Sequence, residues 1–304
     1  MTTAAASVGT RARAGVEEQV DVNRAAVSRR RWTSTRTWIQ AAVIVVWCLL
    51  PFYWMVVTSF RDVGYTFDTA FWPTHVTLDN YVTALSTHWG NHLGRALLNS
   101  LIIGASVTLV ALIVGVFASY ALARIEFRFK GIVLGLIMGA SMFPGVALLT
   151  PLFQLFTNIG WIGTYQALII PEISFALPLA VYTLTSFLRE MPWDLEEAAR
   201  IDGCTSAQAF RKVILPLAAP AVFTTAILTF ISSWNEFLIS SQLSSDKTQP
   251  VTVAIASFTG SLPHQVPYTA IMAAGTIVTV PLVILVLILQ RRIVAGLTAG
   301  GVKG

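Results

Sequence analysis

Charge is what this sequence has least of. Only 12% of its 304 residues are Asp, Glu, Lys or Arg, where a soluble domain carries about a quarter. With 55% hydrophobic residues and a mean hydropathy of +0.69, much of the surface is expected never to meet water. Cysteine is scarce as well. Cys48 and Cys204 stand alone, too few for a disulfide framework or a zinc site. Cys48 lies in an apolar run and reads as a small buried hydrophobe, while Cys204 sits in a polar loop. Motifs of chemistry are missing too. The chain holds no G-x-x-x-x-G-K-[ST] phosphate loop, no H-E-x-x-H and no G-x-S-x-G. It therefore offers no ATPase site, zincin site or nucleophile elbow of its own. His75, His88 and His92 share one loop, but no nearby carboxylate or cysteine set completes a tetrahedral metal site. Solvated loop histidines are the simpler account, and neither a metal site nor a catalytic residue is assigned. The first 37 residues lack the early apolar region of a signal peptide.

Long apolar runs are what the sequence has instead. A membrane helix needs about 20 mostly apolar residues to cross roughly 30 Å of hydrocarbon. Six segments qualify: 38–59, 96–122, 132–157, 164–188, 215–240 and 269–289. Pro144, Pro151, Pro171 and Pro178 interrupt the third and fourth, which neighbouring helices tolerate and which favours kinks. The cations orient the spans. Arg11, Arg13, Arg24, Arg29, Arg30, Arg31 and Arg36 precede the first span. Arg124, Arg128 and Lys130 follow the second, Arg189, Arg200, Arg211 and Lys212 follow the fourth, and Arg291, Arg292 and Lys303 follow the last. The other three loops hold only Arg61, Arg95 and Lys247. By the positive-inside rule both termini are cytoplasmic. The pI of about 9.5 thus records topology, and nucleic acid is not an expected partner, because no soluble basic module is present. Membrane lipid is. Residues 1–37 read as a disordered tail, 38–289 as the six-span domain and 290–304 as a cytoplasmic tail. Trp32 and Trp38 look like interface anchors.

The longest cytoplasmic segment, residues 189–220, is also the most polar internal one. It reads as two short helices around Gly203. Asp194 is placed to cap the first, with Glu197 three residues later as in a capping box. Gly203 is placed to end that helix in a left-handed conformation. Thr205 and Gln208 repeat the capping signal. Phe210, Val213, Ile214 and Leu217 follow at helical spacing, and Pro216 suits the first turn of the fifth span. The small residues Ala198 and Ala199 permit close backbone approach by a soluble partner. Glu196, Glu197 and Arg200 then supply directional charge pairs. Capping and periodicity alone leave an ordinary solvated loop equally open.

Glu197-Ala198-Ala199, then Gly203, then Ile214-x-Pro216 resembles the EAA loop of the membrane subunits of ABC importers. Thr77-Leu78-Asp79-Asn80-Tyr81, Asn99-Ser100-Leu101, Ser119 to Arg124, Trp234-Asn235-Glu236-Phe237 and Gln290 to Leu297 are similar to the carbohydrate-uptake branch. The likeness covers residues 38–304 and is greatest to the second membrane subunit of maltose- and trehalose-type systems. The resemblance implies an all-α membrane protein of six transmembrane helices, with a cytoplasmic coupling helix between spans 4 and 5. It implies a permease subunit, not an enzyme, in a bacterial inner or plasma membrane. Its implied partners are a second homologous permease subunit, a dimer of ATP-binding subunits, an extracytoplasmic sugar-binding protein and the sugar itself. The chain then needs no cofactor, since ATP and Mg belong to the partner ATPase.

Within that resemblance the loop 189–216 docks in a cleft of the ATPase through Asp194, Glu196, Glu197, Ala198, Ala199, Arg200, Asp202, Gly203, Phe210 and Pro216. Glu197 makes a polar contact there and Gly203 the bend. Cys204 stands where Ala or Ser is expected. Arg291, Arg292 and Gly296 lie in a tail that either reaches toward the ATPase pair or frays. Glu172 and Glu236 are intramembrane acids and so candidates for function. Glu172 faces the pathway or pairs with a partner subunit. Glu236, with Trp234 and Asn235, either hydrogen-bonds between subunits or meets substrate. The loop 241–268, with Pro250, Pro263 and Pro267, is long enough to reach into the binding protein. An ion-coupled secondary transporter gives the hairpin no task, and an importer of a non-sugar solute is the other alternative.

Overall fold

The computed structural model describes residues 36–87, 91–259 and 266–299, with side chains to residue 289. By its contacts the chain divides after Val57. The first unit contains all but the last two residues of one described helix, α1, over Arg36–Ser59 (24 residues), ~36 Å long at 1.5 Å per residue. Its surface is apolar on all sides, with Trp38, Val46 and Trp47 exposed, as a helix facing lipid or a partner must be.

The second unit begins at Thr58 and holds the other spans. After a short helix α2 (Asp79–Leu85) come α3 (Leu93–Arg124), α4 (Lys130–Ser141) and α5 (Gly145–Asn158). Next are α6 (Tyr165–Glu190), α7 (Asp194–Ile201) and α8 (Ser206–Ala209). A π turn at Phe210–Ile214 runs on into α9 (Leu215–Trp234). The short α10 (Leu238–Leu243) and α11 (Val251–Ala256) precede α12 (Tyr268–Ala299). No strand longer than the isolated bridge Arg61–Val76 occurs among the described residues. Among the described residues it is an all-α membrane fold with five unbroken apolar spans, or six if the bent pair α4 and α5 crosses as one.

Central to this arrangement is α3, which packs against α6 and α9. Small residues let the backbones close. A methyl on Gly115 would sit 3.4 Å from the Ala180 Cβ, and one on Gly104 3.0 Å from the Phe230 ring. Without a hydrophobic drive between helices in lipid, such close packing carries the association.

The spans differ from the sequence expectation in two places. The third is two helices bent by 84°. Pro144 has no N–H and disfavours helical backbone at Phe143, so the chain turns there, whereas Pro151 stays inside α5. The fifth ends at Trp234 instead of running to 240. Of the loop 241–268, residues 241–259 and 266–268 are described, and the first stretch contains the end of α10 and all of α11. Leu243 and Val251 are fully buried, and Pro250 caps α11; Pro263 lies outside the described residues.

Polar side chains tie the outer loops down. Asn99 on α3 donates to the carbonyls of Lys247 (3.0 Å) and Gln249 (2.9 Å) and accepts from the Tyr165 hydroxyl (2.6 Å). Ser100 accepts from Val251 N–H at 2.9 Å. Asn80 donates to the carbonyls of Ser59 and Arg61. Arg61 is itself fully buried and donates to the carbonyls of Asp68 and Ala70. The Ala70 N–H and the Thr74 hydroxyl hold the Asp68 carboxyl below the usual carboxylate range. His75 stacks on Tyr65 with ring centroids 3.8 Å apart; His88 lies outside the described residues.

The turn between α5 and α6 is stapled to the end of α10. Gly163 donates to the Leu243 carbonyl (2.8 Å), and its own carbonyl accepts from Thr248 Oγ1 (3.1 Å). Gly163 has φ +77°, and an added Cβ would meet Ser245 at 2.9 Å; Gly160 has φ +72° but open space. Gly160→Ala is expected to lose about 1–2 kcal/mol from left-handed backbone strain alone. Gly163→Ala is expected to lose more, read as a larger drop in melting temperature in detergent. Equal drops would mean that the staple at Ser245 is not tight.

Candidate functional site

The hairpin at 189–216 is built largely as its residue pattern implies. α7 ends in a Schellman turn: Cys204 N–H bonds to the Ala199 carbonyl (3.0 Å) and Gly203 N–H to the Arg200 carbonyl (3.1 Å), with Gly203 at φ +89°. This pairing satisfies carbonyls that the helix end would otherwise leave open. Thr205 and Gln208 form the reciprocal capping box. The expected cap at Asp194 does not form. Trp193 occupies the cap position, its carbonyl takes the N–H of Glu196 and Glu197, and Asp194 is the first helical residue. From there its charge still favours the helix N-terminus. Pro216 is exposed in the first turn of α9. The π turn before it widens the helix, where a proline ring otherwise meets the carbonyl four residues back.

α7 presents two unlike faces. Leu195, Glu197, Ala198, Arg200, Ile201 and Asp202 are exposed, with Ile201 85% exposed. Ala199 and Glu196 are buried. Glu196 therefore is not available to a partner, against the sequence expectation. Its carboxylate accepts the Tyr120 hydroxyl at 2.8 Å and lies 4.0 Å from Arg124 Nε. Phe210 also turns inward, its ring 4.6 Å from Tyr120 and 5.8 Å from Phe117.

The residue that holds the hairpin is Arg124, at the C-terminal end of α3. Its side chain is 2% exposed. It donates to the Met191 carbonyl at 3.1 Å and lies over the Trp193 ring, 4.7 Å from its centroid. Such a guanidinium over an aromatic face is attractive. One cation thus gathers the start of the hairpin, its buried acid and its aromatic cap. Sequence reading took Arg124 as a topological charge. The only clue to its role is an arginine four residues after Tyr120 at the end of an apolar run.

The membrane-depth acids are separated from this hairpin. Glu172 on α6 is 5% exposed and accepts a short hydrogen bond from Ser233 Oγ. Glu236 accepts from the N–H groups of Ile239 (2.7 Å) and Ser240 (3.0 Å), capping α10 from within the chain. Trp234 is buried in the core beside Phe230. Asn235 bonds its own helix at the Ile231 carbonyl (2.8 Å). Glu172 and Glu236 both line a cavity of about 310 Å³ with Ser141, Phe143, Phe175 and Ser233. The backbone of α12 continues helically through Arg291, Arg292 and Gly296, whose side chains lie outside the described residues. No group of three or more metal-ligating side chains occurs among the described residues.

Comparison with known proteins adds the following. The family model for the binding-protein-dependent transport system inner membrane component matches residues 111–298. The trehalose transport system permease protein SugB of Mycobacterium tuberculosis is 46% identical over 263 residues, which cover 86% of this chain and 95% of that protein. The trehalose/maltose transport system permease protein MalG of Thermococcus litoralis is 40% identical, over 88% of this chain and 95% of the other. Among solved structures, a chain of a bacterial ABC transporter that imports the acidic polysaccharide alginate superposes with a TM-score of 0.70 at 21% identity. It matches 86% of this chain and 96% of its own length, and shares the fold.

Removing one partner of a buried ion pair leaves the other uncompensated, typically at a cost of about 3–5 kcal/mol. Arg124→Ala should therefore lower the melting temperature well below that of the Arg124→Ala/Glu196→Ala double variant. A double variant no more stable than the single one would show that the two charges do not interact.

Proposed function

The chain belongs to the family of binding-protein-dependent transport system inner membrane components, and from that premise we propose how its parts divide the work of import. It is the transmembrane permease subunit of an ATP-driven importer of di- or oligosaccharides, of the trehalose or maltose type. It forms half of a translocation pathway, the other half coming from a second permease subunit. A dimer of ATP-binding subunits holds ATP and Mg on the cytoplasmic side, and an extracytoplasmic binding protein delivers the sugar. Both termini are cytoplasmic, with residues 1–37 and 290–304 as tails flanking the domain 38–289.

The observation that carries the coupling role is the outward face of α7. Leu195, Ala198 and Ile201 are apolar and exposed, flanked by exposed Asp194, Glu197, Arg200 and Asp202. A rigid helix with an apolar strip and a charged rim suits a cleft in a soluble partner. The Schellman turn and the capping box give that helix one shape, so a push on it is delivered rather than absorbed. Coupling then requires only that the two states of the ATPase bind the helix differently. The kinship with trehalose and maltose permeases favours these sugars as the cargo, and the tail carrying Arg291, Arg292 and Gly296 as a second contact with the ATPase.

Glu197→Lys places a like or unpaired charge in the docking cleft and should cut uptake roughly tenfold or more. Gly203→Pro removes the N–H bonded to Arg200 and forbids φ +89°, because proline is held near −65°. Both variants should insert and be recovered from membranes in normal amount while transport is lost. Wild-type uptake by both would remove the hairpin from the mechanism. Purification of the tagged chain in mild detergent should bring along an ATPase and a second permease. Recovery as a transport-competent homodimer would overturn the importer reading.

A further inference from the structure

Two interruptions of helical backbone meet the cavity of about 310 Å³, the bend at Met142–Pro144 and the break at Asn235–Phe237. Glu172, beside Pro171 on the continuous α6, lines it from a third helix. Irregular backbone at membrane depth is tolerated where it is buried in protein or lines a cavity. The volume is at the small end of ligand pockets, roughly 300–1,000 Å³.

The side chains say what such a cavity suits. Ser233 donates to one oxygen of the Glu172 carboxyl, and Glu172, only 5% exposed, lines the cavity. A carboxyl so placed can exchange hydrogen bonds with whatever enters. The second acid is not free, because both Glu236 oxygens are occupied by backbone N–H groups. Ser141 and Thr229 add hydroxyls, while Phe143 and Phe175 add aromatic surface. A sugar ring has the matching duality, with C–H faces for the phenyl rings and hydroxyls for the carboxyl. No lysine or arginine lines the cavity, so a carboxylated sugar would enter beside two acids without a counter-charge.

We propose that this cavity is a sugar subsite carried by the chain itself, in which Glu172 accepts hydroxyl groups of an uncharged saccharide and disfavours acidic ones. The proposal rests on the permease reading above and adds a residue that contacts and selects the cargo.

The test uses the complete complex, co-purified with its partner subunits, reconstituted in proteoliposomes and supplied with its binding protein. Radiolabelled trehalose and maltose are the probes. Glu172→Gln keeps the shape and weakens the acceptor. It should lower uptake by up to about tenfold, the worth of one hydrogen bond, while the complex still assembles and is recovered in normal amount. Uptake at the wild-type rate would overturn the subsite. A second measurement needs no variant: a diazirine-bearing trehalose photolysed during wild-type turnover should label residues around 141–145, 172–176 or 229–239. Adducts confined to the other permease subunit would also overturn it. Failure of the wild-type complex to move either disaccharide would instead overturn the sugar-permease reading, and the subsite with it.

Discussion

A peptide group in hydrocarbon has no water to bond, and each one left without a partner costs several kcal/mol. That constraint explains where polar residues occur in this chain. At the break after Trp234, a side chain supplies what the backbone has lost. Glu236 caps α10 after the break, and Thr252 donates to the Glu236 carbonyl at 2.6 Å. Asn99 and Ser100 hold the strand of loop before α11. The asparagines and serines are therefore not scattered polar accidents in apolar helices. Asn99 and Ser100 close gaps in the backbone leading into α11, and a folded segment forms there.

This explains what sequence reading captured and what escaped it. Hydropathy and cation placement report a segment's average environment, so they located the spans at 38–59, 96–122, 164–188 and 269–289 within a few residues. They do not report direction changes within an apolar run. The 84° bend at Pro144 looks like a tolerated proline, and Pro171 and Pro178, which leave α6 continuous, look the same. The hairpin was legible because its signals are local: Gly203 needs a positive φ, and Thr205 and Gln208 pair across three residues. The Asp194 cap failed because Trp193 took the position, held there by Arg124 from another helix. Side-chain direction escaped for the same reason. Glu196 and Glu197 are adjacent identical residues, and only the packing of α7 on α3 decides that the first is buried and the second free.

Burying Glu196 has a further effect on specificity of contact. An acid facing outward at that position would widen the negative rim of α7. Turned inward, it leaves Asp194, Glu197, Arg200 and Asp202 as the charges around the apolar strip of Leu195, Ala198 and Ile201. The exposed face is then apolar at the centre and polar at the rim, the general anatomy of interfaces.

Among the five unbroken spans, α3 differs in one respect. Pro51 lies in α1, Pro171 and Pro178 in α6, Pro216 and Pro220 in α9 and Pro281 in α12, but Leu93–Arg124 contains no proline. Its ends also carry opposite duties. Asn99 grips the outer loop and Arg124 grips the inner hairpin, ~37 Å apart at 1.5 Å per residue. Without a proline ring to break its hydrogen-bond ladder, this helix has no built-in kink site between the two clamps. Mechanically it is a connecting rod, whose clamped ends keep a fixed separation.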